Sequence, residues 1–175
     1  MLTLLIVLSI LPIGFVYYTF ISELDLLFLI FLSGQALTVY GVIVPAEIRD
    51  YFSDKAMGIQ TMTVQLGLVK ASLFSIVLLS VGGFLAGTGF LLKLAYGAHQ
   101  VLIVFLLVMA IVYGFVLKKY NRLYSLSKQH LTSKYSESVA QEIKKLAAQN
   151  PRWITLVTQS IVFMSIILLV SKFLS

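Results

Sequence analysis

Residues 26–61, LLFLIFLSGQALTVYGVIVPAEIRDYFSDKAMGIQT, set the reading of the whole chain. The first part, 26–46, carries no charged residue, and about 20 apolar residues are what a helix needs to cross a bilayer core. Glu47, Asp50 and Asp54 follow at once, three of the seven acidic residues, spaced E-x-x-D-x-x-x-D. Positions i, i+3 and i+7 share one face of a helix, so the three carboxylates are expected to form a column at the mouth of a membrane helix. Like charges so placed repel by roughly 0.2–0.5 kcal/mol per exposed pair, and by more where water is scarce. A cation offsets that repulsion. Oxygen donors suit Mg²⁺, which keeps several waters and shares its carboxylates with substrate phosphates. The spacing predicts a Mg²⁺–diphosphate site.

Composition supports the membrane setting. The chain of 175 residues is 59% hydrophobic and 11% charged, with mean hydropathy +0.99, which places it among integral membrane proteins. It has no cysteine, which removes disulfides and thiolate metal sites from consideration. Five segments are apolar enough to span: 2–22, 26–46, 69–92, 97–118 and 153–174. The first lacks the basic leader and short apolar run of a cleavable signal. Arg49, Lys55 and Lys70 lie in one connection; Lys118, Lys119, Arg122, Lys128, Lys134, Lys144, Lys145 and Arg152 lie in another on the same side. By the positive-inside rule that side is cytoplasmic, together with the N-terminus and the acidic run. The net charge of +6 follows from this asymmetry and is not a nucleic-acid footprint.

Along the chain, Pro12 and Gly14 predict a kink in the first segment, and Tyr17 and Tyr18 an interfacial belt. Gln35 and Thr38 are expected to hydrogen-bond between helices. Pro45 can bend or loosen the second helix, and such a break would tilt the carboxylates toward a cavity. Gly58 and Gly67 mark a turn. Gly83-x-x-x-Gly87 predicts close helix packing, and His99 is ordinary interfacial surface. Within 118–152, Val139, Ile143, Leu146 and Ala147 recur at helical spacing, with Ser138-x-x-Gln141 as a capping box. That pattern predicts a short interfacial helix whose lysines face anionic headgroups. Asn150-Pro151 reads as the N-cap and first residue of the last helix, with Trp153 at the interface.

Asp50-x-x-x-Asp54-x-x-x-Gly58-x-x-Thr61, continued by Val64-Gln65-Leu66-Gly67, resembles the second aspartate-rich motif of the UbiA-type intramembrane prenyltransferases. The resemblance implies an all-α membrane protein whose five transmembrane helices are similar to helices five to nine of a nine-helix bundle. It implies Asp50 and Asp54 as catalytic, metal-side carboxylates, Glu47 as a further metal ligand, and Arg49 and Lys55 as diphosphate contacts. The implied cofactor is Mg²⁺, and the implied partners are an isoprenoid diphosphate, a hydrophobic acceptor such as a quinone precursor, and the bilayer. The family's first motif has no counterpart: only Glu23 and Asp25 precede Glu47, and topology puts them on the opposite face. Residues 1–175 are thus expected to form a single helical domain, the C-terminal part of such an enzyme, inactive until another segment or chain supplies the first motif. The alternative is a non-catalytic membrane partner or degenerate lipid-binding relative, with the carboxylates as exposed juxtamembrane charges.

Overall fold

A computed structural model describes residues 25–94, 100–133 and 136–173, together with Leu11, Gly14 and Phe15. The described residues contain helices and no strand: α1 (Leu26–Ala56), α2 (Met62–Leu66), α3 (Leu68–Leu94), α4 (Gln100–Thr132), α5 (Glu137–Ala147) and α6 (Asn150–Phe173). Of these, α1 and residues Leu68–Leu92 of α3 are long and apolar enough to cross a membrane. α4 and α6 cover the fourth and fifth expected segments. The first expected segment, apart from the three positions named, lies outside the described residues, as do Glu23 and His99.

Asp25 starts α1 by accepting a 2.7 Å hydrogen bond from the Phe28 amide, the side-chain capping that satisfies an orphan helix donor. The helix then runs 31 residues. At about 1.5 Å per residue that is about 46 Å, some 16 Å longer than a bilayer core. The acidic run therefore stands on a rigid outward extension of the membrane-length helix.

Pro45 does not break that helix. Proline lacks the N–H that would bond the carbonyl four residues back, which here is Gly41. Ser75 of α3 donates to that carbonyl at 2.6 Å. Gly41 makes this approach possible, because a Cβ there would lie 2.9 Å from the Leu79 amide nitrogen. One residue on, the Val42 carbonyl accepts from Asn150 Nδ2 at 2.9 Å, and Asn150 Oδ1 accepts from Tyr120 Oη at 3.2 Å. Asn150 is fully buried. Its side chain thus joins α1, α4 and α6 across the gap instead of capping its own helix, while Pro151 occupies the first turn, as expected of a residue without an amide hydrogen.

α1 packs chiefly on α3 through small residues, but not those of the Gly83/Gly87 pair. A Cβ on Gly34 would overlap the backbone of Ala86; one on Gly82 would lie 2.6 Å from Thr38, and one on Gly89 2.7 Å from the Phe31 nitrogen. Gly83 instead receives the Tyr113 ring, and Gly87 faces open space. Gln35 and Thr38 are fully buried on α1. Among the described residues the Gln35 amide has no hydrogen-bond partner, whereas Thr38 faces the Tyr113 hydroxyl of α4, which also faces Ser160 of α6.

α4 continues to Thr132, well past the segment's expected end at 118. α5 does present Val139, Ile143, Leu146 and Ala147 on one face. That face is covered by protein rather than lipid, since these residues share a core with Tyr51, Leu123 and Leu126. Arg122 holds Glu142 at 2.7 Å across the α4–α5 contact. Ser136, not Ser138, occupies the N-cap position, and it forms no side-chain capping bond. Trp153 is buried against Tyr120, with ring centroids 5.5 Å apart.

Candidate functional site

The outer end of α1 holds Glu47, Arg49, Asp50, Asp54 and Lys55. Gly58, at φ 72°, follows its last turn, and Gly67, at φ 76°, separates α2 from α3; glycine enters this left-handed region without the usual Cβ penalty. Thr61 caps α2 by accepting from the Val64 amide at 3.3 Å. The segment between the two glycines doubles back along α1. Thr63, fully buried, donates to Glu47 Oε2 at 3.0 Å, and Tyr40 Oη reaches Met62 Sδ at 3.4 Å.

The three carboxylates therefore have different surroundings. Glu47 is half-buried and anchors α2. Asp50 is held by its neighbour: Arg49 Nε and Nη2 each donate to one of its oxygens at 2.9 Å. Those bonds hold the Asp50 carboxyl below its usual range and raise the Arg49 guanidinium above its own. Both side chains are nearly half exposed, at 47% and 46%. Asp54 lies one turn beyond Asp50 on the same helix, partly exposed. Among the described residues, no group of three or more His, Cys, Asp or Glu side chains comes together as a metal site.

Lys55, expected as a diphosphate contact, sits beside an aromatic ring. Its Nζ lies 5.7 Å from the centroid of the Tyr51 ring, within the lining of a cavity of about 600 Å³ bounded by α1, α3, α4 and α5. Phe52, Lys70, His130 and Lys144 also line this cavity, and Glu47, Asp50 and Asp54 do not. Comparison with family models, with curated proteins and with solved structures finds no match to this chain. Arg49 stays with the carboxylates.

A second cavity, of about 530 Å³, opens between α3, α4 and α6. Gly83, Gly87, Leu106, Met109, Tyr113 and Met164 contribute to its largely apolar wall, and none of the three carboxylates does. Sequence reasoning missed Thr63, the partner of Glu47, and the meeting of Phe52 with His130, whose rings lie 5.4 Å apart at 89°. Phe52 and His130 are far apart in sequence, so no local pattern announces their contact. Thr63 carried a weak signal, as a hydroxyl one turn beyond the Gly58 break.

Proposed function

We propose that this chain is the C-terminal wall of a UbiA-type intramembrane prenyltransferase, with Asp50 and Asp54 as its contribution to a shared Mg²⁺–diphosphate site. The observation that carries this reading is the pair itself. Two carboxylates stand one turn apart on a continuous helix beyond its membrane-length part, bonded, among the described residues, to nothing that the fold requires. In the same motif, Gly58, Thr61 and Gly67 already have structural duties. Exposed apolar side chains along the helices, among them Phe84, Leu91, Leu107, Ile111 and Phe163, support a multi-pass bundle in lipid, since exposed apolar surface on this scale marks contact with something other than water.

Mg²⁺ fits a two-carboxylate share of such a site, because it binds one or two protein carboxylates and takes its other oxygens from phosphates and water. When bound, it would act as a Lewis acid on the diphosphate. Glu47 is better suited to hold α2 against α1 than to serve as a ligand, given its bond to Thr63. Arg49, planar and forked, can transfer its two donors from Asp50 to phosphate oxygens. Such positive charge stabilises a leaving group as its negative charge develops. The apolar surroundings exclude water from an allylic cation. The opposite acidic wall comes from polypeptide other than the described residues. The acidic end faces the cytoplasm, following the basic residues around it.

Equilibrium binding of labelled farnesyl diphosphate to the full chain in lipid nanodiscs, with and without Mg²⁺, tests this. The double variant Asp50→Asn/Asp54→Asn is expected to lose Mg²⁺-dependent affinity at least tenfold, while binding that ignores both Mg²⁺ and these residues favours the non-catalytic lipid-binding alternative. With an acceptor panel added, the chain alone is expected to show no prenyl transfer; robust turnover would overturn the requirement for a second wall.

A further inference from the structure

We infer that the basic hollow between the outer ends of α1 and α4 and helix α5 binds the phosphate headgroup of an anionic phospholipid. Three lysines from three helices, Lys55, Lys70 and Lys144, converge on this one cavity of about 600 Å³. Among its lining residues only Glu137 is acidic, so the wall is net positive. The other polar side chains there add no negative charge: His130 Nδ1 lies 3.2 Å from the Ser136 carbonyl, and the Ser127 hydroxyl is bonded to the Leu123 carbonyl at 2.8 Å.

Two of the lysines are positioned rather than loose. Lys144 Nζ stands 5.2 Å from the Phe52 ring centroid and Lys55 Nζ 5.7 Å from that of Tyr51, within the range at which a ring face attracts an ammonium. Both rings are themselves cavity walls. Like charges held this way repel one another, and a phosphate placed among them removes the repulsion while gaining charge-assisted hydrogen bonds.

The remaining wall indicates a lipid rather than a free anion. Leu66 and Leu131, 39% and 55% exposed, border the hollow with Leu68 and Val69, offering apolar surface to the glycerol and upper acyl carbons. The hollow's α1 residues, Tyr51, Phe52 and Lys55, lie on the extension just beyond the membrane-length part of α1, and Lys70 lies at the start of α3, where basic side chains can meet headgroups. The inference shares only the membrane placement of α1 with the prenyltransferase reading, since none of Glu47, Asp50 and Asp54 lines the hollow.

The test uses the full chain in neutral detergent micelles, titrated with dioctanoyl phosphatidylglycerol, dioctanoyl phosphatidylcholine or inorganic phosphate. Native mass spectrometry counts bound lipid, and a thermal melt reads stabilisation. One phosphatidylglycerol is expected to bind and raise Tm, with at least tenfold weaker binding in Lys70→Gln/Lys144→Gln. Lys145→Gln, on the same helix but outside the hollow, is expected to bind like the parent, as is Asp50→Asn/Asp54→Asn. All three lysine and aspartate variants replace side chains with some exposure, and an unchanged Tm without lipid checks that they fold. Unaltered binding by the double lysine variant, an equal loss with Lys145→Gln, or equal protection by phosphatidylcholine or inorganic phosphate would each overturn the inference. Loss of lipid binding in the aspartate variant would also overturn it, by making the hollow part of the diphosphate site.

Discussion

The middle and the outer end of α1 belong to one unbroken helix, yet they treat their polar groups in opposite ways. Around Pro45 the carbonyl left without a donor is met by Ser75, and its neighbour by Asn150, from two other helices and in full burial. At the outer end Asp50 has only the adjacent Arg49, and both are nearly half exposed. An unpaired polar group costs roughly 1–3 kcal/mol when buried, because water cannot replace the missing partner. Outside, water does replace it. The inner groups are therefore committed to holding helices together, while the outer ones can exchange their partners for a ligand. Gln35 is the inner exception, its amide buried without a hydrogen bond among the described residues.

The largest effect expected on the inner side comes from its close-packed seam. Gly34→Ala puts a methyl group into the backbone of Ala86, and overpacking of this kind costs about 1–3 kcal/mol or more when backbone must shift. Gly87→Ala, at a position facing open space, is expected to be neutral or to stabilise the helix by up to about 1 kcal/mol. Unfolding in mixed micelles compares the two. Similar losses at both would mean that α1 and α3 do not meet through Gly34, Gly82 and Gly89.

Next in size is the repair at Pro45. Ser75→Ala should destabilise by about 1–3 kcal/mol, because the Gly41 carbonyl loses its donor in a buried setting. In a Pro45→Ala background the helix regains its own N–H for that carbonyl, and the cost of Ser75→Ala should fall by about 1 kcal/mol. The double-mutant cycle measures that coupling directly. Additive losses would show that Ser75 stabilises the bundle by some route other than the gap left by proline.

How much of this was legible beforehand follows the same division. The apolar run 26–46 and the acidic spacing after it indicated a helix bearing Asp50 and Asp54 on its outer part, and the structure places both on α1. The α5 face of Val139, Ile143, Leu146 and Ala147 was legible from its period alone. Pro45 misled because propensity is local, whereas the groups that mend its gap come from residues 75 and 150, each about 30 or more positions away. Gly83/Gly87 was legible only in half, since Gly83 admits the Tyr113 ring of α4 while Gly87 faces open space. The spacing motif names small residues but not which helix face meets a neighbour, and a one-residue offset puts Gly82 on the seam and Gly83 under Tyr113. The division of roles between Glu47 and Asp50 was invisible, since it depends on α2 folding back to bring Thr63 within 3.0 Å.

The smallest effect is the one that bears most directly on the candidate site. Arg49 hydrogen bonds lower the Asp50 pKa, so the pair's stabilisation is present above the ordinary carboxylate pKa and disappears as pH falls through the depressed one. An exposed pair contributes at most about 1 kcal/mol. Melts of the parent and Arg49→Gln are therefore expected to differ by a small constant amount above about pH 5, with the difference shrinking at lower pH and vanishing once pH has fallen through the depressed Asp50 value. A gap several times larger would place Asp50 in a structural network like that of Asn150, and would remove it from the groups free to meet a ligand. No gap at any pH would mean that solvent already outcompetes Arg49, leaving both side chains fully available. The small, pH-limited difference is the signature of a carboxylate held in place by a neighbour that can be displaced, which is the property that a shared diphosphate site needs from this end of α1.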